Sequence, residues 1–459
     1  MDGDLICAAA TPEGRGAISL LRLSGRGCFE TVDRVFSAKN GRKASEREPG
    51  KLYFGEIRRG ETLLDEGMCA VFRAPRSYTG EESAEITCHG GRTVTREILL
   101  ALLEAGARLA KGGEFTERAF LAGKMSLSAA EAVEEIIDAG SPLAVSHAAA
   151  ALSGRFGREI GEIRDGILDA AAHYAAMLDY ADEGVEPPDS QEIAELLESA
   201  REKLQKLLRG EVAGRVIREG IGIALIGRTN AGKSTLLNAI LGYDRAIVTP
   251  VAGTTRDVIE ESAVMGGVRF RFTDTAGFRE TGDPVEMIGI ERSRESLSRA
   301  EGVILIFDGS EPPSEEDRIA FRETEKEKRR RPELRIFKVL NKIDRGSSED
   351  YGAFFPEEAA FRISATEGTG LGELTNALSR LGEERGSDPA AVTNLRHADA
   401  IRRAAGLLEE VLRDKSAGVT DDVIWSGLTG VAEILGEITG DEVREDMIER
   451  IFRNFCVGK

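Results

Sequence analysis

The sequence predicts a multidomain chain, α/β plus α: a separate N-terminal α/β domain, then a helical domain in two pieces with a doubly wound, mainly parallel α/β domain inserted between them. Three observations predict it. The 459 residues exceed what one hydrophobic core normally supports, so about two to four domains are expected. Ala- and Glu-rich stretches with helical spacing fill residues 128–209 and resume from Ala400 onward. Between them, from about Arg218 to Leu381, apolar strand-like runs alternate with helical ones, the texture of a parallel sheet covered on both faces.

Taken in order, residues 1–121 carry short β-like runs (17–23, 68–72, 85–88). They are divided by Gly-rich turns such as Gly14-Arg15-Gly16 and Gly90-Gly91, which reads as a compact α/β domain. Residues 122–214 form the first helical piece. Ser128 is placed to cap its opening helix while Glu131 reaches back three residues later, and Glu186-Pro187-Pro188-Asp189 marks a break between long helices. The apolar run 221–226 opens the inserted domain, 215–381. After a polar linker at 382–388, helical periodicity runs through 400–412 and 423–438. A last helix sets Val443, Met447, Ile448, Ile451, Phe452 and Phe455 on one face and stops just before Cys456. Residues 382–459 are thus the second helical piece, expected to pack with the first.

A formal net charge of −19 gives no general attraction for a polyanion, so any RNA contact must use a local basic patch or a partner. The basic run 328–331 follows Glu323, Glu325 and Glu327 and reads as a solvated helix face. The first 16 residues are acidic and lack a hydrophobic core segment, and no apolar run is long enough to cross a bilayer. A cytoplasmic protein without membrane attachment is expected. Cys7, Cys28, Cys69, Cys88 and Cys456 form no CxxC pair and no regular spacing, which argues against a zinc site or a disulfide framework.

The chemistry lies in the inserted domain. Gly227-Arg228-Thr229-Asn230-Ala231-Gly232-Lys233-Ser234 follows a strand and precedes a helical run beginning at Thr235, the context a phosphate-binding loop requires. Its glycines let backbone N–H groups approach phosphates, Lys233 brings positive charge to the β- and γ-oxygens, and the Ser234 hydroxyl can ligate Mg²⁺. Asp274-Thr275-Ala276-Gly277 puts a carboxylate near the metal and a glycine N–H at the γ-phosphate. Upstream, in the loop 249–257, Gly253-Thr254-Thr255-Arg256-Asp257 offers a threonine to close over Mg²⁺, and Thr255 is the choice. Asn341-Lys342-Ile343-Asp344 selects the base, because the Asp344 carboxylate can accept from guanine N1–H and N2–H₂ while adenine offers no such pair. Ser364-Ala365-Thr366 completes the base pocket, with Thr where that motif usually has Lys. These motifs predict a Ras-like GTP-binding and GTP-hydrolysing domain.

Hydrolysis needs an unusual solution. Phe278 occupies the position after the switch glycine where many GTPases carry a water-orienting glutamine, and an apolar ring cannot orient water. A different base and a different positive charge at the β–γ oxygens are required. Glu280 and Glu286 are both candidates for the base, and residue physics does not choose between them.

The ordered motifs, together with Thr11-Pro12-Glu13-Gly14-Arg15-Gly16, Tyr78-Thr79-Gly80-Glu81, His89-Gly90-Gly91, Gly113-Glu114-Phe115 and the ending Phe455-Cys456-Val457-Gly458-Lys459, resemble the bacterial and organellar tRNA-uridine-modifying GTPase family known as MnmE or TrmE, over essentially the whole chain. The resemblance implies K⁺ as the missing charge, held by Asn230 and by Thr249, Val251 and Thr254. Nucleotide-contacting positions implied with these are Ala231, Gly232, Thr235, Pro250, Ala252, Gly253 and Ile343. It selects Glu286, in Val285-Glu286-Met287-Ile288-Gly289, over Glu280, acting through a bridging water, with Arg256 and Asp257 assisting dimerisation or switch ordering. It implies a tetrahydrofolate-binding, dimerising N-terminal domain with contacts at Arg22, Glu85, Lys124 and Lys459, the one-carbon donor being 5-formyl- or methylene-tetrahydrofolate. It also implies that Cys456 is required for tRNA modification while GTP hydrolysis proceeds without it.

The function that follows is 5-carboxymethylaminomethyl-type modification of the wobble uridine, position 34, of certain tRNAs. The implied partner is an FAD-dependent subunit of the MnmG or GidA type, in a heterotetramer, with the GTPase domains dimerising on GTP. The competing reading is a regulatory GTPase that binds RNA or ribosomes as a switch, and such a switch has no use for Cys456.

Overall fold

The computed structural model describes residues 3–179, 190–242, 260–274, 295–346, 351, 360–388, 390–441, 445–453 and 455–458. The chain divides into two compact units. The first comprises Met1–Ile137, Ala148–Ala200 and Arg403–Lys459, the second Asp138–His147 and Arg201–Arg402.

The first unit opens with a seven-stranded sheet. Its strands are β1 (Ile6–Ala9), β2 (Ile18–Ser24), β3 (Phe36–Ala38), β4 (Tyr53–Arg59), β5 (Thr62–Phe72), β6 (Ser83–His89) and β7 (Arg108–Leu109), in the order β3-β4-β5-β6-β2-β1-β7. All pairings are antiparallel except β1 with β7. Alternation decides which side chains face the core: on β2, Ser19, Leu21 and Leu23 are buried, whereas Ile18 is exposed and Leu20 and Arg22 are half-buried. Helices Cys28–Val35 and Arg92–Glu104 cover the apolar face and bury it with Val32, Ile57, Val71, Ile86, Ile98 and Leu102.

Helices complete this unit. Arg155–Asp179 and Asp421–Thr439, far apart in sequence, pack along each other more extensively than any other described helix pair. The helix Leu127–Asp138 is capped by Ser126 rather than by Ser128. Ser126 Oγ accepts from the Ala129 N–H at 3.3 Å, while Ser128 already lies inside the first turn and is buried. The last helix, Glu445–Phe452, ends before the position its apolar stripe suggested. Phe455 follows it in a turn, and the Phe452 and Phe455 rings, 5.1 Å apart, share a core with Leu127 and Ala130.

The second unit is built on a six-stranded sheet of β8 (Ile221–Ile226), β9 (Glu260–Met265), β10 (Val268–Asp274), β11 (Gly302–Asp308), β12 (Arg335–Asn341) and β13 (Phe361–Arg362), ordered β13-β12-β11-β8-β10-β9. Only β9 runs antiparallel to its neighbour. Every residue of β11 is buried, as a central parallel strand covered on both faces requires. Leu225, Phe270, Phe272, Ile306, Leu374 and Leu378 pack on one side of the sheet, and Ile226, Leu305, Phe307, Leu334 and Tyr351 on the other. This is the doubly wound, mainly parallel sheet expected of a P-loop GTPase domain.

Two local expectations change here. The stretch read as a polar linker begins inside a helix, Leu371–Gly386. A Cβ on Gly382 would sit 3.3 Å from the Phe270 ring and from Val268, and one on Gly386 2.7 Å from Leu143, so these glycines serve close packing rather than flexibility. The basic run is partly consumed by its own helix end: Lys328 Nζ donates to the carbonyls of Pro332 and Leu334, and Arg331 donates to those of Ser298 and Ala300.

Candidate guanine-nucleotide site

The C-terminal ends of β8, β11 and β12 lie side by side in register, the edge at which open α/β sheets bind ligands. After β8 the chain turns sharply. Gly227 must be glycine because a Cβ there would lie 2.4 Å from the Ile306 carbonyl oxygen. Asn230 and Gly232 take left-handed conformations, with φ 64° and 94°, and the helix Lys233–Leu241 starts immediately afterwards. The backbone N–H groups of Gly232, Lys233, Ser234 and Thr235 belong to this first turn, where an anion is favoured by unpaired amides and by the helix dipole. Lys233 Nζ donates to the carbonyls of Gly227 and Arg228 at 2.9 and 3.0 Å, which holds its ammonium over the loop.

Asn341 ties the phosphate loop to the two base loops. Its Nδ2 donates to the Ala231 carbonyl at 2.9 Å and its Oδ1 accepts from the Ala365 N–H at 3.1 Å. A Cβ on Gly232 would come 2.2 Å from that Nδ2, so the contact depends on glycine. Ser364 Oγ accepts from the Glu367 N–H and lies 3.2 Å from Thr366 Oγ1, fixing the turn of the last motif. The Ile343 N–H donates to the Ile363 carbonyl. Asp344, with a side chain 18 % exposed, has Arg345 Nε 3.9 Å away. Residues 231 and 365, expected from separate motifs, are therefore both hydrogen-bonded to Asn341.

Two residues that the motifs did not single out for a role belong to this edge. Asp308 ends β11, accepts from Lys342 Nζ at 2.8 Å through Oδ2, and lies 3.3 Å from Arg228 Nη2. Burial pushes its carboxyl up, but hydrogen bonds from Lys342 and from the Ser310 side chain and backbone outweigh that and hold it below the ordinary range. Its only sequence signal is an aspartate closing an apolar run.

Asp274 closes β10, where its backbone pairs with Leu225; its side chain lies outside the described residues. The expectations at Thr249, Pro250, Val251, Ala252, Gly253, Thr254, Thr255, Arg256, Asp257, Thr275, Ala276, Gly277, Glu286 and Lys459 also fall outside the described residues.

A second cluster forms in the first unit. Arg22 and Glu85 face each other across β2 and β6, and the guanidinium donates to Glu85 Oε1 at 3.0 and 2.8 Å. The same guanidinium lies over the Tyr78 and Phe115 rings, 5.3 and 5.8 Å from their centroids. The C-terminal segment reaches this place: Val457 bridges Gly112, the Gly113 N–H donates to the Cys456 carbonyl at 3.3 Å, and Arg22 Nη1 donates to the Gly458 carbonyl at 3.5 Å. Cys456 is exposed, whereas Cys7, Cys28, Cys69 and Cys88 are buried, with burial raising their thiols, that of Cys88 to about 11. Lys124 Nζ donates to the Pro75 carbonyl at 2.8 Å. Among the described residues, no helix is long and apolar enough to cross a membrane.

Comparison with known proteins covers both units. Residues 5–124 match the family model described as the GTP-binding protein TrmE N-terminus, and residues 127–456 match the MnmE helical domain. A protein named tRNA modification GTPase MnmE from Roseiflexus sp. (strain RS-1) is 40 % identical over 473 aligned residues, covering 99 % of both chains. Proteins of the same name from Christiangramia forsetii and Clostridioides difficile (strain 630) are 38 % and 37 % identical, again over 99 % of both chains.

Proposed function

Because this chain belongs to the tRNA modification GTPase MnmE family, we propose that it is a K⁺-activated GTPase whose hydrolysis drives 5-carboxymethylaminomethyl-type modification of the wobble uridine of certain tRNAs. That it is a GTPase involved in tRNA modification follows from the family. The observation that supports the nucleotide-binding part of this reading is the junction at Asn341, which ties the phosphate loop to both base loops.

GTP is placed with its phosphates on the amides of residues 231–235 and Lys233, and its base on Asp344, whose carboxylate accepts from guanine N1–H and N2–H₂. The residues present suit hard cations. Ser234 sits in the first turn of a helix that begins at left-handed Gly232, and Asn230 offers an amide oxygen in the loop before it. Mg²⁺ is assigned to Ser234 and Thr255, and K⁺ to Asn230, Thr249, Val251 and Thr254; the ions supply positive charge at the phosphate oxygens. Glu286 then orients the attacking water, with Arg256 and Asp257 ordering the switches. Residues 215–381 are assigned to this domain.

Residues 1–121 are assigned to tetrahydrofolate binding and dimerisation, and 122–214 with 382–459 to the helical domain. Glu85 suits pterin N–H donors, while Arg22, Lys124 and Lys459 suit the carboxylates of the glutamate tail. The docking of residues 456–458 beside Arg22 supports a role for the Cys456 thiol in that chemistry. The FAD-dependent partner subunit is assigned to a heterotetramer and is expected to bring much of the basic surface that an acidic chain lacks for tRNA. The setting proposed is cytoplasmic. Nucleoside analysis of tRNA from a deletion strain complemented with wild-type or Cys456→Ser chain tests the reading: the modified uridine returns only with the wild type. Its return with Cys456→Ser favours a switch without covalent chemistry.

A further inference from the structure

The two loops that hold opposite ends of the nucleotide share one buried acceptor. Asp308, its side chain 5 % exposed, uses Oδ1 for the Ser310 N–H and hydroxyl at 3.1 and 2.6 Å. Its Oδ2 takes Lys342 Nζ at 2.8 Å and lies 3.3 Å from Arg228 Nη2. Lys342 belongs to the base loop and Arg228 to the phosphate loop. Neither cation is placed by chance. Lys342 has a left-handed φ of 65°, rare for a side chain of its size, and its anchored stem passes Gly232, with Cε 4.0 Å from where a Cβ would stand. Arg228, its side chain 15 % exposed, is also held by Glu311 Oε2 at 2.6 Å and lies 3.8 Å from Asp317 Oδ2.

Asp317 shows how tightly this corner is set. It is fully buried, and its Oδ2 accepts from the Ser314 N–H and hydroxyl in a capping box at the start of the helix Glu315–Arg330. Around Arg228 and Lys342 stand three carboxylates, those of Asp308, Glu311 and Asp317. A buried carboxylate that loses its cation is costly; Arg228 is held by all three, and Lys342 Nζ by Asp308.

We propose that Asp308 is a positioning residue for guanine-nucleotide binding: its Oδ2 fixes the Lys342 ammonium and the Arg228 guanidinium together, so that the shelf under the base and the entry to the phosphate loop are set by one atom. This rests on the assignment of the base to the 341–344 loop. The contacts of Asp308 are to protein groups, those of Ser310, Lys342 and Arg228. Asp308 acts by restricting the Lys342 stem to the direction in which it flanks a planar base, and by tethering the Arg228 side chain of the phosphate loop that Asn341 also reaches, at Ala231. Loss of that restraint raises the entropy lost on binding and shows as faster release, since affinity differences within one site reside mostly in the off-rate.

The test is release of a fluorescent GDP analogue from the full-length chain carrying Asp308→Ala, Lys342→Met, or both, with thermal melting of each variant without nucleotide. Each single variant is expected to release at least about tenfold faster, and the double variant no more than about twofold faster than the faster single, because one acts through the other. Multiplying effects, or a lowered melting point with unchanged release, overturns the proposal. Should Asp308→Ala fail to fold, Arg228→Lys keeps the charge but loses the fork. It is then expected to speed release several-fold, with little further effect when combined with Lys342→Met, and unchanged release overturns the proposal. Unchanged release in both Lys342→Met and Asp344→Ala overturns the base-site assignment itself, a separate result from multiplicative singles.

Discussion

Glu114 is a buried charge that ties together several parts of the first unit. Burial pushes its carboxyl up, but hydrogen bonds from Arg108, the Lys111 N–H and Arg118 bring it down to about 2. It opens the helix Glu114–Leu121 that carries Phe115, the ring beneath the Arg22 guanidinium. A carboxyl held below its unfolded value contributes stability above the unfolded value, and loses it as pH falls through the folded one. Glu114→Gln is therefore expected to cost about 2–3 kcal/mol at neutral pH, with the difference from wild type shrinking between about pH 4.5 and pH 2. Urea titrations at several pH values check this, and a penalty that does not change with pH counts against the assignment. At the same scale, Glu286→Ala is expected to bind GTP normally and lose at least about a hundredfold in single-turnover hydrolysis. Turnover is expected to fall when Na⁺ replaces K⁺, and equal rates in the two salts count against Asn230 as an ion ligand.

At the scale of elements, the phosphate loop and the base loops cohere because Gly232 leaves room for Asn341. Gly232→Ala is strained twice, by φ 94° and by a Cβ 2.2 Å from Nδ2, and should weaken GDP binding by about a hundredfold or more in calorimetry. The last helix is held differently, by Phe452 and Phe455 against Leu127, and Phe452→Ala should lower the first melting transition of the full chain by several degrees. The strands and phosphate loop were legible in the sequence because a buried parallel strand followed by a glycine turn and a helix leaves a local pattern. Asp308 was not, since one aspartate ending an apolar run gains meaning only from what β12 brings beside it. The 382–388 stretch misled for the same reason. Gly382 and Gly386 look like linker glycines until Phe270 and Leu143 pack against them.

For the whole molecule, the chain enters the second unit twice, briefly at Asp138–His147 and then over Arg201–Arg402, and returns to complete the first, where Cys456 lies beside the Arg22 cluster. The phosphate loop and the Cys456 thiol thus lie in different units, while the proposed chemistry needs both. Two substitutions separate the requirements. Cys456→Ser changes an exposed atom in the first unit and should leave the GTP hydrolysis rate within about twofold of wild type, as expected for a surface substitution in a unit other than the one that carries the phosphate loop. Glu286→Ala leaves the first unit's sequence untouched and should remove hydrolysis. If domain closure driven by hydrolysis is what prepares the uridine chemistry, strains carrying either variant should lack the modified wobble uridine, one with an active GTPase and one without. Normal modification in the Glu286→Ala strain, at a hydrolysis rate shown to be lost in the purified chain, would mean that nucleotide binding alone suffices and that hydrolysis only resets the cycle.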